Sequence, residues 1–139
     1  MRVVVGTNVL VSAHLSIRGA SRRLLDRLIA VHNVILSDAI LDEFTETMRT
    51  KFNYDNEMLS ILLVGMTEFV EIVEPATFPA QICRDPDDDA ILGTAVAGNA
   101  DCIVTGDSDL IVLERLVCAG VAIDIITPAD FPRYEEKRL

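Results

Sequence analysis

Four acids stand where their types and spacing could do chemistry: Glu43, Asp88, Asp107 and Asp109. Asp107 follows the apolar run CIVT at 102–105, with Asp109 beside it in TGDSDL. Asp88 lies in DPDDDAIL at 85–92, one helical turn before Ile91, Leu92 and Ala95. On a helix that spacing puts Asp88 at the centre of the packed face. Asp89 falls at the margin, while Asp85 and Asp87 belong to the loop or cap. A helix dipole would favour the ionised form of Asp88 by about 0.3–1 kcal/mol. Glu43 falls at the edge of the stripe formed by Ile40, Phe44 and Met48, whereas Asp42 and Glu46 point to solvent. Each acid also has an ordinary reading. Asp107 and Asp109 could cap a turn, the 85–89 run could cap a helix, and Glu43 could be a surface residue. Capping explains Asp87 well and Asp88 poorly. Together the acids form an all-oxygen set with no His or Cys, which suits Mg²⁺ or Mn²⁺. Such ions polarise phosphoryl oxygens and acidify water.

The elements around these acids must bring them to one edge. VVV at 3–5 is continuously apolar and reads as a strand buried on both faces. Leu24, Leu25, Leu28, Ile29 and Val31 have a helical period, with Ser21 as the expected N-cap. VIL at 34–36 is a second strand, and Ser37 caps the helix carrying Glu43. MLSILLVGMTEF gives another helix, and VEIVEP at 70–75 alternates like a strand near the sheet edge. A helix from about Asp87 to Gly98-Asn99 precedes the strand CIVT. A short helix through Leu116, a last strand VAIDII at 121–126 and a turn of helix at TPADF complete the order. The expected fold is a three-layer α/β/α sandwich with a central parallel sheet. Residues 1–132 make the domain, and 133–139 a charged, loose tail. In open α/β sheets ligands bind beyond the carboxyl ends of the strands, where Asp107 must lie.

With 139 residues, half of them apolar, the chain has the length of one domain with a real core. Its net charge of −10 excludes capture of nucleic acid by the whole surface, though not by a local patch. Arg18, Arg22, Arg23 and Arg27 are candidates for such a patch, or for a solvated helix face. Cys83, Cys102 and Cys118 show no paired spacing, which fits free thiols in a reducing cytoplasm. His14 and His32 stand far from any cysteine pair, so zinc is not expected. No run approaches the roughly 18 apolar residues that a membrane span needs.

These motifs, taken together, resemble the PIN domain family, and within it the toxin components of toxin–antitoxin pairs. The family pattern is a strand ending in D-T-N, a Glu in a following helix, D-D-x-x-(I/L) opening a later helix, and T-G-D-x-D-L after a strand. The resemblance runs from VVVGTNVLVSA to IITPADF. It implies metal-dependent cleavage of single-stranded RNA, a protein antitoxin as partner, and Glu43, Asp88 and Asp107 as catalytic metal ligands, with Asp109 supporting. Homodimerisation is compatible with it. Thr7 and Asn8 occupy the polar pair of the first motif.

One position departs from the pattern. Where the family carries its first aspartate, this chain has Gly6. A unit negative charge about 4 Å from a divalent ion is worth roughly 8 kcal/mol at an effective dielectric near 20, before desolvation. Loss of that charge implies weakened metal binding and impaired catalysis in an intact fold. The alternative is a non-catalytic module of the same fold that binds RNA or a protein. Phosphoryl-transfer hydrolases and receiver domains normally need an acid after the first strand and a lysine after a later one. The lysines here are Lys51 and Lys137, and neither follows such a strand.

Overall fold

The apolar runs become the middle of a six-stranded sheet in the order β3-β2-β1-β4-β6-β5. The computed structural model describes residues 1–118 and 120–138. The strands are β1 (Arg2–Val5), β2 (Asn33–Ser37), β3 (Val70–Val73), β4 (Cys102–Val104), β5 (Arg115–Cys118) and β6 (Val121–Ile126). The helices are α1 (Thr7–Leu15), α2 (Ala20–Val31), α3 (Asp38–Phe52), α4 (Asn56–Thr67), α5 (Pro86–Ala97), α6 (Ser108–Ile111) and α7 (Phe131–Arg138).

Val3, Val4, Val5, Ile35, Leu36, Ile103 and Val104 are wholly buried, as strands covered by helices on both faces require. Neighbouring strands run parallel from β3 to β6. α5 packs on β1 and β2, α2 and α3 on β2, and α4 on β3. The expected three-layer arrangement is therefore present. β3 is an edge strand, as its alternation implied.

Four expectations need correction. The segment TNVLVSAHL is the helix α1, where the sequence suggested only a polar turn after the first strand. Thr7, Val9, Leu10, Val11 and Ala13 are all buried, so α1 shows little of the one-sided pattern by which helices are recognised. The short helix expected through Leu116 ends at Ile111 instead. Glu114, at φ 59°, turns the chain into β5, which pairs antiparallel with β6, so the sheet is mixed at that edge. Leu110, Leu113 and Leu116 had imitated a helical stripe. Ser21 is not the cap of α2, which starts at Ala20 from Gly19 without a side-chain cap.

The tail expected to be loose forms α7 as far as Arg138. Phe131 and Glu135 are buried, Glu135 accepts from Arg27 and His32, and the Tyr134 hydroxyl donates to Asp124. Leu139 lies outside the described residues.

Candidate functional site

The chain leaves β1 toward β2 on one side of the sheet, whereas β4 lies on the other side of β1. The crevice beyond the carboxyl ends of β1 and β4 is thus a topological switch point, the usual ligand position in open α/β sheets. Val5 is in register with Val104, so Gly6 and Thr105 emerge side by side. The Gly6 N–H donates to the Val104 carbonyl at 2.8 Å.

Three of the four acids meet there. Carboxylate oxygens of Asp88, Asp107 and Asp109 all lie within 4.8 Å of one another. Asp107 is placed by β4 and caps α6, its carboxylate accepting from the Asp109 N–H at 2.9 Å. Asp88 comes from the first turn of α5. Asp85 caps that helix by accepting from the Asp87 N–H, and Pro86 fits the first turn, where no N–H partner is needed. Asp85 and Asp87 are exposed, as cap and loop residues should be, whereas Asp88 retains 5% of its accessible surface. Asp89 points elsewhere and accepts from the backbone N–H groups of Ile82 and Cys83.

Glu43 lies outside the three-acid cluster. α3 starts at the Ser37 cap, as expected, and presents Glu43 half-buried at the edge of the Ile40, Phe44, Met48 stripe. Its Oε2 accepts from the Thr7 hydroxyl at 3.1 Å. Thr7 and Asn8 therefore tie the elements together, since the Asn8 side-chain oxygen also faces the Gly106 N–H at 3.5 Å.

Electrostatically the cluster is unbalanced. Burial, the adjacent carboxyl of Asp107, and the charges of Asp85 and Glu43 push the Asp88 carboxyl up to about 7. Burial also raises Glu43; the Thr7 hydroxyl opposes the rise, and Asp87, Asp85 and Asp107 add to it. Among the described residues, the one cation touching the cluster is Arg84, whose guanidinium donates to Asp109 Oδ1 at 2.8 Å. The sequence reading missed Arg84, although it directly precedes the acidic run. The expected arginine patch is largely committed elsewhere: Arg22 pairs with Asp26 and Arg27 with Glu135. The thiols are free, and burial pushes Cys102 up to about 12, which leaves it inert.

Gly6 itself has an ordinary backbone, with φ −68° and ψ 155°, which any L-residue adopts. Nothing in its conformation requires glycine. Its surroundings are tighter. A Cβ there would lie 2.9 Å from Thr105 Oγ1, 3.1 Å from Thr105 Cβ and 3.4 Å from Asn8 Oδ1. The Thr105 hydroxyl, itself held by the Asp107 N–H at 3.1 Å, fills the space beside the missing side chain.

A family model described as PIN domain matches residues 2–109. The chain belongs to the PIN domain family. An uncharacterised protein of Methanocaldococcus jannaschii is 31% identical over 148 residues, covering 99% of this chain and 93% of that protein. The crystal structure of VapBC2 from Rickettsia felis, bound to a DNA fragment from their promoter, matches with a TM-score of 0.62. It is 17% identical and covers 90% of this chain and 98% of that chain, a likeness of fold. Among the described residues, no helix of this PIN domain is long and apolar enough to cross a membrane.

Proposed function

We propose that this chain is a PIN-type endoribonuclease that uses Mg²⁺ or Mn²⁺ to cut single-stranded RNA, weakened by glycine at position 6. The observation that carries the reading is the convergence of Asp88, Asp107 and Asp109 at the switch point, around a buried acid that pairs with no cation among the described residues. An all-carboxylate donor set suits a hard divalent ion, and a raised Asp88 is what such a site shows without one. Asp88, Asp107 and Asp109 would hold the ion, and Glu43 would join from the rim, steadied by Thr7. When bound, the ion supplies Lewis acidity and lowers the pKa of water. Asp107 orients Asp109 through its cap, and the Asp88 carboxyl would give up its proton to take the ion. A toxin role in the cytoplasm, a protein antitoxin as partner and a homodimeric state belong to the same proposal. Membership of the family and the VapBC2-like fold support it.

The test is to install Gly6→Asp, alone and with Thr105→Ser, and assay cleavage of single-stranded RNA with Mn²⁺. Serine lacks the branched methyl that stiffens Thr105, so its hydroxyl can turn away from the new Cβ. The double variant should cleave faster than Gly6→Asp alone, and both should exceed the parent by orders of magnitude. Folded variants that neither cleave RNA nor bind Mn²⁺ would defeat the nuclease reading.

The closure of Thr105 against Gly6 favours a second reading, a non-catalytic PIN-fold module that binds RNA or a protein partner. Binding indifferent to both chelator and Gly6→Asp would select it.

A further inference from the structure

We infer that the groove between α1 and α3 is a subsite for one nucleotide of single-stranded RNA beside the acidic cluster, an inference that rests on the nuclease reading above. The groove has a volume of about 380 Å³ and shares Thr7 and Glu43 with the candidate site. Its walls are two facing helical stripes. α1 contributes Asn8, Ser12 and Leu15, at spacings of four and three residues; α3 contributes Glu43, Thr47 and Lys51, at spacings of four. Phe52 closes the far end with 41% of its surface exposed.

The chemistry changes along this path in the order a nucleotide would need. At the near end lies Glu43, the acid proposed to join the cation from the rim. Hydroxyl and amide groups of Ser12, Thr47 and Asn8 follow, able to donate to and accept from a base edge or a ribose 2′-hydroxyl. At the far end Lys51 offers a phosphate its ammonium group, and Phe52 offers a base its ring face. Lys51 makes no hydrogen bond or ion pair among the described residues, unlike Arg49 two positions earlier, which pairs with Glu46 and Asn56. An uncommitted cation next to an exposed aromatic ring stands out on a surface of net charge −10. From Glu43 to Lys51 the helix rises about 12 Å, a reach suited to a nucleotide adjoining the scissile phosphate. An all-apolar protein segment would leave Lys51 and the polar wall groups unmatched, so RNA is the better fit.

Fluorescence anisotropy with a short single-stranded oligoribonucleotide, with Mg²⁺ present, tests the assignment on the full chain. Phe52→Leu should weaken binding about tenfold, the scale of one lost base stack. Lys51→Gln should lower the slope of log affinity against log salt by about 0.7, the value for one phosphate contact on a single strand. Arg133→Gln, a charge removed on α7, should change neither tenfold, and thermal melts should show all three variants folded. RNA binding that Phe52→Leu and Lys51→Gln both leave unchanged would overturn the subsite and leave the nuclease reading standing. Absence of RNA binding in both the parent and Gly6→Asp would remove the two together.

Discussion

Two acids in this molecule are buried to the same degree and behave in opposite ways. Asp88 retains 5% of its surface and Glu135 retains 6%. Burial alone pushes both carboxyls upward. At Glu135 that push is overcome by the His32 ring and by Arg27, whose Nε donates to both carboxylate oxygens at 2.8 and 3.1 Å, so the carboxyl is held below its ordinary value. At Asp88 the neighbours are Asp107, Asp85 and Glu43, and every one reinforces the push. A buried acid that brings its own cation fastens one element to another; here it fastens α7 to α2. A buried acid surrounded by acids costs stability that a bound cation would offset, and that is the role proposed for Asp88.

The largest effect should come from removing the unbalanced acid. In a Gly6→Asp background, Asp88→Asn should cut RNA cleavage by about two orders of magnitude, since charge stabilisation by a bound ion is worth several kcal/mol. The same change should abolish the rise in Tm on adding Mn²⁺ while raising Tm at pH 8 in chelator, where like-charge repulsion is relieved. An Asp88→Asn protein that still gains stability from Mn²⁺ would place the ion elsewhere. Glu135→Ala should do the reverse: no change in Mn²⁺ response, but a loss of about 2 kcal/mol in urea unfolding. That is below the usual 3–5 kcal/mol for breaking a buried pair, because Arg27 is half exposed and can return to water.

Proton linkage separates the same two acids by sign. Asp88 is raised from its ordinary 3.8 to about 7, so the folded chain holds an extra proton between those values. Its contribution is fully present below pH 3.8 and is lost as pH rises through about 7. Glu135 is depressed from 4.5, so its contribution is present above that value and lost as pH falls below it. Urea midpoints measured in chelator should therefore decline from pH 4 to 7 in the parent. Asp88→Asn should remove that decline, and Glu135→Gln should flatten the acid limb below pH 4.5.

The contrast between these acids was half legible in the sequence. The centre of the apolar face on DPDDDAIL pointed to Asp88, and the end of CIVT to Asp107, because helical and strand periods fix direction locally. Glu135 was invisible. RYEEKRL reads as a solvated tail, and only the fold brings His32 and Arg27, more than 100 residues away in sequence, against it. β5 and α1 were missed for related reasons. One imitates a helical stripe in sequence, and the other is buried at so many positions that its apolar residues show no helical period, only the narrow exposed line of Asn8, Ser12 and Leu15. The vacancy at Gly6 was readable only against the family pattern, and its filling by Thr105 only in three dimensions.

The smallest effect should sharpen the comparison most, because at Arg84 the acidic cluster imitates the Glu135 arrangement. Its guanidinium donates to Asp109 Oδ1 at 2.8 Å, yet its side chain is 87% exposed. Ion pairs in such positions contribute about 0.5 kcal/mol or less, so Arg84→Gln should leave the urea midpoint almost unmoved. Its effect on cation binding should be larger than its effect on folding. On the proposed reading Arg84 and a divalent ion would compete for the Asp109 carboxylate, and removing the competitor should tighten Mn²⁺ binding in calorimetry by a few fold at low salt. Weaker binding in Arg84→Gln would mean instead that the arginine holds Asp109 in its ligating position. Asp109 would then depend on a built-in partner, as Glu135 does, and the division between scaffold acids and site acids would run through the cluster itself.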